Sequence, residues 1–252
     1  MRKHPSPSGL NRRLGVYALL ASVALATPQA LQPANIEFPF NPANFSAPLF
    51  IDNPLFPLVA GRTFTYRGSG PDGCEEIRTA VTHQTKTIAG IKARVVRDQA
   101  YEGSCGAPLT LVEDTFDWFA QDNAGNVWYM GEDTRDCEGA GNCVPGHGSW
   151  QAGVNGAKAG LIMLANPHMG DHYRQEYYVG FAEDEATVAG VGLTVRLSRP
   201  DAIQPRQFNN CLKTREYTRL EPGVTTYKYY CPNVGLVMEQ EKDIQIELVA
   251  IR

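Results

Sequence analysis

The chain has 252 residues, with 23 lysines and arginines, 27 aspartates and glutamates, and a formal net charge of −4 at pH 7. So weak a charge, spread along the chain, excludes the basic surface that nucleic acids require, and we expect no nucleic-acid partner. With 24 glycines, 17 prolines and no long helical periodicity, the composition favours strands and turns.

The first 26 residues have the pattern of a secretory signal peptide. Arg12 and Arg13 precede a short apolar run that ends in Ala24-Leu25-Ala26. The run is shorter than the roughly 20 apolar residues of a membrane span. We therefore expect cleavage after Ala26, a secreted or periplasmic location, and no membrane span in the mature chain.

A proline-rich segment follows at residues 27–60, where seven of the 17 prolines lie. Proline fixes the backbone in extended conformations and cannot donate to a strand ladder. We predict an extended N-terminal arm that lies over the domain formed by residues 61–252.

Beyond residue 60, alternating apolar and polar stretches predict short β-strands at 62–67, 76–87 and 91–99. The stretch 112–133 has two aromatic-rich halves around Asp122-Asn-Ala-Gly-Asn126, which predicts a long antiparallel hairpin. It holds Trp118 and Trp128. So large an aromatic load indicates the centre of a core or the wall of a pocket.

The second half of the chain opens with residues 134–160, which contain seven glycines and are predicted as a loop anchored by Trp150. A short apolar segment follows at 161–164, and strands are then predicted at 173–179, 183–188, 193–198, 211–231 (a hairpin), 235–239 and 244–251. Roughly ten to twelve short strands predict a mainly β fold: a single large antiparallel curved sheet, as an open barrel or sandwich, stapled by disulfides.

Six cysteines in an exported chain indicate three disulfides. Cys211 and Cys231 flank the predicted turn at 222–223 at nearly equal distances. Cys137 and Cys143 enclose a five-residue loop. Cys74 and Cys105 remain, each beside a glycine-rich turn. Metal binding is the rival interpretation, but no Cys-x-x-Cys spacing supports it. The predicted pairs are Cys74–Cys105, Cys137–Cys143 and Cys211–Cys231.

Four segments resemble a family of exported bacterial β-rich proteins that often carry lipoprotein-like names. They are DNPLFPL (52–58), VEDTFDWFAQD (112–122), GNVWYMGED (125–133) and YYCPNVGLV (229–237), and those of the central hairpin are the most specific. The resemblance covers the chain from Asp52 onward. It implies a curved antiparallel sheet and no established activity. The six cysteines of this chain depart from the family pattern, and so do His168 and His172.

His168-Met-Gly-Asp-His172 brings potential metal ligands together. Imidazole with carboxylate suits zinc, and imidazole with the thioether of Met169 suits copper. Structural metal sites usually have four ligands, and an ordinary turn through Gly170 explains the same residues. His168, Asp171 and His172 are therefore candidate zinc or copper ligands, but we expect the ordinary turn and no other cofactor.

Five acids of the central hairpin could supply a general acid and base, which requires two carboxyls in different environments. Strand alternation places Glu113 and Asp117 on one face and Asp114 on the other; Glu132 and Asp133 follow on the second strand. Acids at every second residue are also typical of the solvent-exposed face of a half-buried sheet. We expect these acids to lie on such an exposed face.

The candidate ligand-binding residues combine aromatic and charged side chains. Arg174, Glu176 and Tyr178 alternate on one side of a predicted strand, and Trp118 and Trp128 would form a second wall. A sheet concavity lined in this way could bind a small polar or aromatic ligand. A cross-strand ion pair beside core aromatics is the alternative.

These patterns predict an exported β domain that binds a small ligand or an envelope partner without catalysis. The alternative is a metal-binding protein or metal-dependent hydrolase that uses the His168–His172 region, and a third interpretation is an envelope component with no small ligand. Sequence motifs such as Gly-x-Ser-x-Gly and His-Glu-x-x-His are lacking, so the sequence does not establish an enzyme.

Overall fold

The computed structural model describes residues 36–139 and 141–252. The predicted signal peptide, its cleavage site and residues 27–35 of the predicted arm lie outside the described residues. Across the described ranges, no helix is long and apolar enough to cross a membrane.

Regular structure in the described residues consists of β-strands and one 3-10 turn at Pro42–Asn44. The strands are β1 (Thr63–Gly70), β2 (Gly73–Ile88), β3 (Ile91–Gly103), β4 (Thr110–Gln121), β5 (Val127–Asp133), β6 (Arg135–Cys137), β7 (Cys143–Pro145), β8 (Trp150–Gln151), β9 (Gly160–Met163), β10 (His172–Arg174), β11 (Asp184–Arg196), β12 (Gln207–Thr218), β13 (Thr226–Cys231), β14 (Gly235–Glu241) and β15 (Ile244–Ile251).

These strands form one antiparallel sheet in the order β10-β11-β12-β13-β14-β15-β1-β2-β3-β4-β5-β8, with β9 also on β5 and the β6–β7 hairpin attached to β4. Two meanders, β1–β5 and β10–β15, meet where β15 pairs with β1. The sheet curves without closing. The predicted mainly β fold with a single large curved sheet is confirmed.

The two ends of the sheet approach each other at a short seam. The Lys158 backbone N–H donates to the Tyr177 carbonyl at 2.9 Å, in an isolated bridge beyond the ladders. Beside this bridge, a Cβ on Gly160 would lie 2.1 Å from the Gln175 carbonyl oxygen. Glycine at residue 160 therefore permits the close approach of the two edges.

Three strand boundaries differ from the predictions. Segments 183–188 and 193–198 form one strand, β11, whose pairing shifts at Gly190 because bulges there interrupt the alternation. The strand predicted at 173–179 ends at Arg174, since the N–H groups of Gln175 and Glu176 both donate to the Asp184 carbonyl and the chain bends. The predicted loop at 134–160 contains β6, β7 and β8.

Residues 36–58 pack against the sheet. Asn53 is buried, and its Nδ2 donates to the Gly125 and Leu164 carbonyls at 2.9 and 3.1 Å. The rings of Phe40 and Phe45 lie 5.5 and 6.0 Å from that of Trp128. Residues 36–58 cover the outer face of β5. As a result, β5 is buried from Val127 to Gly131.

All three predicted disulfides are present. Their members lie 31, 6 and 20 residues apart in the chain: Cys74–Cys105, Cys137–Cys143 and Cys211–Cys231. Disulfides persist in oxidising compartments, so they agree with the predicted secreted or periplasmic location.

Candidate ligand-binding cavity

The concave side of the sheet contains a cavity of about 260 Å³, lined by strands of both meanders and by residues 56–58. At roughly 30 Å³ per water molecule this volume equals about nine waters, which suffices for one small organic molecule. We call it the acidic cavity because five carboxyl side chains line it: Asp98, Asp117, Glu176, Asp184 and Glu216.

Aromatic rings form the apolar part of the wall. Phe119 and Tyr129 stack with their centroids 4.8 Å apart, and Phe56 meets Phe119 edge-on at 5.4 Å. On the opposite meander, Tyr230 lies 6.2 Å from Phe56. Rings offer an apolar surface and a negative π-face, which suit an aromatic group or a cation respectively.

Two carboxyl groups share the hydroxyl of Tyr129. Its oxygen lies 2.5 Å from Asp117 Oδ1 and 2.8 Å from Glu132 Oε2. A phenol has one hydrogen and can donate to only one of them, so the other contact is favourable when that carboxyl is protonated and donates. Burial, reinforced by the charge of Glu132, raises the pKa of Asp117 well above its usual range. Burial raises the pKa of Glu132 to about 7.

Three further acids of the cavity, Asp98, Glu176 and Asp184, are also poorly compensated. Burial raises the pKa of Asp98 to about 6, although its carboxylate accepts from the Thr79 hydroxyl at 2.8 Å. Burial and the neighbouring charge of Asp184 raise the pKa of Glu176 well above its usual range, and burial raises that of Asp184. The cavity therefore favours protonated acids at mildly acidic pH.

Lys228 is the basic side chain of the cavity lining. Its Nζ lies 3.1 Å from Glu216 Oε2 and 4.0 Å from Glu239 Oε2. Burial alone would lower the pKa of Lys228, but these two carboxylates outweigh burial and raise it well above its ordinary value. Glu216 also accepts from the Thr214 hydroxyl at 2.7 Å. This lysine is thus already engaged with one acid of the lining.

One buried amide in the cavity wall has no hydrogen-bond partner. Gln175 is 3% exposed, and its Nε2 donates to no atom of the described residues. Since a buried donor without an acceptor costs roughly 1–3 kcal/mol, native proteins seldom leave one unpaired without reason. The atom is closed off from the cavity in this conformation, so an acceptor oxygen on a bound molecule would satisfy it only after the amide turns toward the cavity.

The five predicted ligand-binding residues lie in different places. Glu176 lines the acidic cavity, whereas Trp118 is buried on the other face of β4, with Lys86 Nζ 3.3 Å from its ring centroid. Trp128 and Arg174 line a second hollow under residues 36–40. Tyr178 stacks on Phe181 in a turn. The binding role of these residues stays a prediction.

The predicted metal ligands are also separated by their contacts. His172 Nε2 lies 2.9 Å from Glu185 Oε2 and 3.2 Å from the Tyr217 hydroxyl, while the ring of His168 is exposed near Asp171. In the described part of the chain, no group of three or more His, Cys, Asp or Glu side chains has the arrangement of a metal site. A zinc or copper site therefore stays untested, and its firm donors would be the imidazoles of His168 and His172.

Several cavity residues went unrecognised in the sequence, although a signal was present. Along β3, Asp98 lies two residues after buried Val96 and therefore on the same strand face. Along β13, Lys228 lies two residues before buried Tyr230, again on the same face. A charge in phase with buried residues indicates an inward-facing polar group. The expectation that Asp117 lies on a solvent-exposed face is wrong, because the curvature of the sheet turns that face inward.

No protein-family model matches this chain, and no curated protein matches it in sequence. Two solved structures are similar at low identity. One is a "putative exported protein with YmcC-like fold" from Bacteroides fragilis, at 14% identity and a TM-score of 0.41, covering 79% of this chain and 98% of the other. The second is a "putative lipoprotein" from Parabacteroides distasonis, at 12% identity and a TM-score of 0.37, with the same coverage. Both are exported or lipoprotein-like bacterial proteins, the class that the sequence resembles.

Proposed function

We propose that this exported β domain is a non-catalytic binding protein that takes one small organic ligand into the acidic cavity. The observation that carries the proposal is the unpartnered amide of Gln175, which is buried in the wall of a cavity of about 260 Å³. An aromatic wall with a few convergent polar groups is the usual composition of a small-molecule site.

The cavity is poorly explained as a packing defect. Empty cavities in proteins are typically apolar, whereas this one has carboxyl groups and an amide in its wall. Burying such groups costs free energy unless they gain partners. A ligand that supplies partners would recover this free energy, and binding would stabilise the folded state.

Three probes of one shape test the proposal: tyramine, its neutral alcohol analogue tyrosol, and the anion 4-hydroxyphenylacetate. Each carries a phenol on a two-carbon chain and has ten or eleven non-hydrogen atoms. Probes of this size bind with dissociation constants in roughly the millimolar range or below. Ligand-observed NMR with the purified protein should show binding of at least one probe.

Val96→Phe shows whether the probe occupies the cavity. Val96 is 2% exposed and lines the cavity, so a phenyl group would fill it. Val144→Phe is the matched control, because Val144 is 59% exposed on β7. We expect Val96→Phe to abolish binding and Val144→Phe to leave it unchanged. Binding by none of the three probes, with no co-purified molecule in native mass spectrometry, would contradict the proposed function.

A further inference from the structure

We infer that the ligand of the acidic cavity is a small organic cation, a protonated amine with a hydrogen-bond acceptor elsewhere in the molecule. This inference rests on the proposed function and names the chemical class of its ligand. Three features of the cavity carry it: an excess of acids, the unpartnered donor of Gln175, and the aromatic rings of the wall.

The first feature is the charge of the lining. Five carboxyl groups and one lysine line the cavity. Lys228 is paired with Glu216 at 3.1 Å. Asp98, Asp117, Glu176 and Asp184 form no ion pair among the described residues, although the charge of Lys228 partly offsets the rise that burial causes in the pKa of Asp98 and of Asp184. Buried carboxylates need a counter-charge or a proton, and an ammonium group would supply the counter-charge.

These acids form one connected cluster. Glu176 is affected by the charges of Asp184, Glu132 and Asp117. Asp117 is affected in turn by Glu132 and Asp98. A single cation beside Glu176 would therefore interact favourably with several carboxylates. Since like charges in a low-dielectric site repel strongly, relief of this repulsion adds to the direct attraction.

The second feature is independent of the acids. Gln175 Nε2 is a buried, unpartnered donor that the amide would have to turn toward the ligand, and a donor cannot bind an ammonium group. It requires an oxygen acceptor on the same ligand. Gln175 and Glu176 are adjacent in the chain and both line the cavity, so one small molecule could reach both.

The third feature distinguishes an organic cation from a metal ion. Metal ions need several donors converging on one point, and no such group occurs among the described residues. The cavity instead offers the rings of Phe119, Tyr129 and Tyr230, an apolar surface that packs against the carbon atoms of an organic cation.

Binding of a cation to these acids must be linked to pH. An ionised carboxylate binds the amine and a protonated one does not, so affinity should rise from pH 5 to pH 8 and binding near pH 6 should release protons. The titratable groups that face this region are acids on β3, β4, β5, β11, β12 and β14 and the lysine on β13. Besides the four acids and Lys228 named above, they include Glu113, Glu132, Glu216 and Glu239. The phenols of Tyr66, Tyr129 and Tyr230 stay neutral across this range, because burial raises the pKa of each.

The test compares tyramine with tyrosol on the wild-type protein by calorimetric titration at pH 5 and pH 8. Tyramine is charged and tyrosol is neutral, while their size and phenol oxygen are the same. We expect tyramine to bind about tenfold more tightly than tyrosol at pH 8, and by a smaller factor at pH 5. Repeating the titration near pH 6 in buffers of different ionisation enthalpy should show proton release with tyramine only.

Variants locate the effect. Asp117→Asn and Asp184→Asn each remove one charge and keep the shape, and each should weaken tyramine at least about fivefold and tyrosol by a clearly smaller factor. Asp72→Asn removes an exposed charge and should change neither. Equal or tighter binding of tyrosol would overturn the cation inference and leave the ligand-binding function standing. If no probe binds, both fall.

Discussion

At the scale of single residues, Glu247 and Glu132 carry the same side chain in opposite surroundings. Glu247 is fully buried, and its carboxylate accepts from the backbone N–H groups of Ser198 and Arg199 at 2.9 Å. Burial would raise the pKa of Glu247, but these hydrogen bonds outweigh burial and lower it. Glu132 has the Tyr129 hydroxyl as partner, and burial raises its pKa.

Glu132→Gln should therefore stabilise the protein at pH 8. A carboxyl with a raised pKa of about 7 destabilises the folded state once it ionises, and glutamine resembles its protonated form. We expect the free energy of unfolding in urea to rise by roughly 1–3 kcal/mol at pH 8 and to change little at pH 5. Glu247→Gln is the control and should destabilise at pH 8. A loss of stability in Glu132→Gln at pH 8 would refute the assignment.

Trp118 is a structural residue: its side chain is 5% exposed and lies on the outer face of β4. Trp118→Ala should lower the free energy of unfolding by roughly 3–5 kcal/mol, as large-to-small core substitutions do. Trp118→Phe should lower it less, because it retains a ring beneath Lys86. An unchanged urea midpoint in Trp118→Ala would instead indicate a surface or ligand contact.

At the scale of elements, hairpins set the local order of the sheet. The β12–β13 hairpin pairs Leu212 with Tyr230, which places Cys211 beside Cys231 as predicted. The short Cys137–Cys143 bridge closes the hairpin of β6 and β7. The two bridges differ in the length of chain that they close.

This difference predicts unequal stabilities. Replacing Cys211 and Cys231 together by serine should cost roughly 3 kcal/mol, and replacing Cys137 and Cys143 roughly 2 kcal/mol, because a longer loop loses more chain entropy when closed. Urea unfolding of the two double variants measures the difference. Equal costs, or a larger cost at Cys137–Cys143, would show that native-state contacts dominate over loop entropy.

The seam between the two ends of the sheet depends on Gly160. In Gly160→Ala the added carbon would overlap the Gln175 carbonyl oxygen, so one edge must move. We expect faster hydrogen exchange of the Lys158 amide, whose partner is the Tyr177 carbonyl. The wild-type protein measured alongside provides the reference. Unchanged protection of this amide would show that the seam tolerates the extra carbon.

At the scale of the whole molecule, the acidic interior opposes stability at neutral pH. Burial raises the pKa of Asp98 to about 6 and those of Glu75 and Glu132 to about 7. Since these groups have a pKa near 4 in the unfolded chain, the folded state holds more protons between about pH 4 and pH 7. Stability must then fall as pH rises through this window.

Carboxylates with lowered pKa act in the opposite direction. Glu76 is held by Arg67 and Arg78, and Glu247 by its backbone donors, so their contributions are lost as pH falls below about 4. The thermal midpoint should therefore be highest near pH 4 and decline by several degrees toward pH 8. Scanning calorimetry without ligand measures this profile. A midpoint that rises steadily from pH 5 to pH 8 would contradict the acidic interior.

Features that depend only on neighbouring residues are encoded locally in the amino-acid sequence. The hairpin through Asp122–Asn126 and the three disulfides could be predicted because turn chemistry, alternation and short loops act over at most 31 residues of separation. The mainly β class followed from the same local signals.

The direction in which the acidic side chains point depends on the packing of the whole sheet. Alternation shows that Glu113 and Asp117 share a face, but it does not show whether that face is wet or enclosed. The pairing of β1 with β15 joins residues from opposite ends of the domain, and the resulting curvature turns the acidic face inward. Asp98, Asp184 and Lys228 thereby meet in one cavity, because long-range strand pairing depends on the packing of the whole sheet rather than on any local pattern.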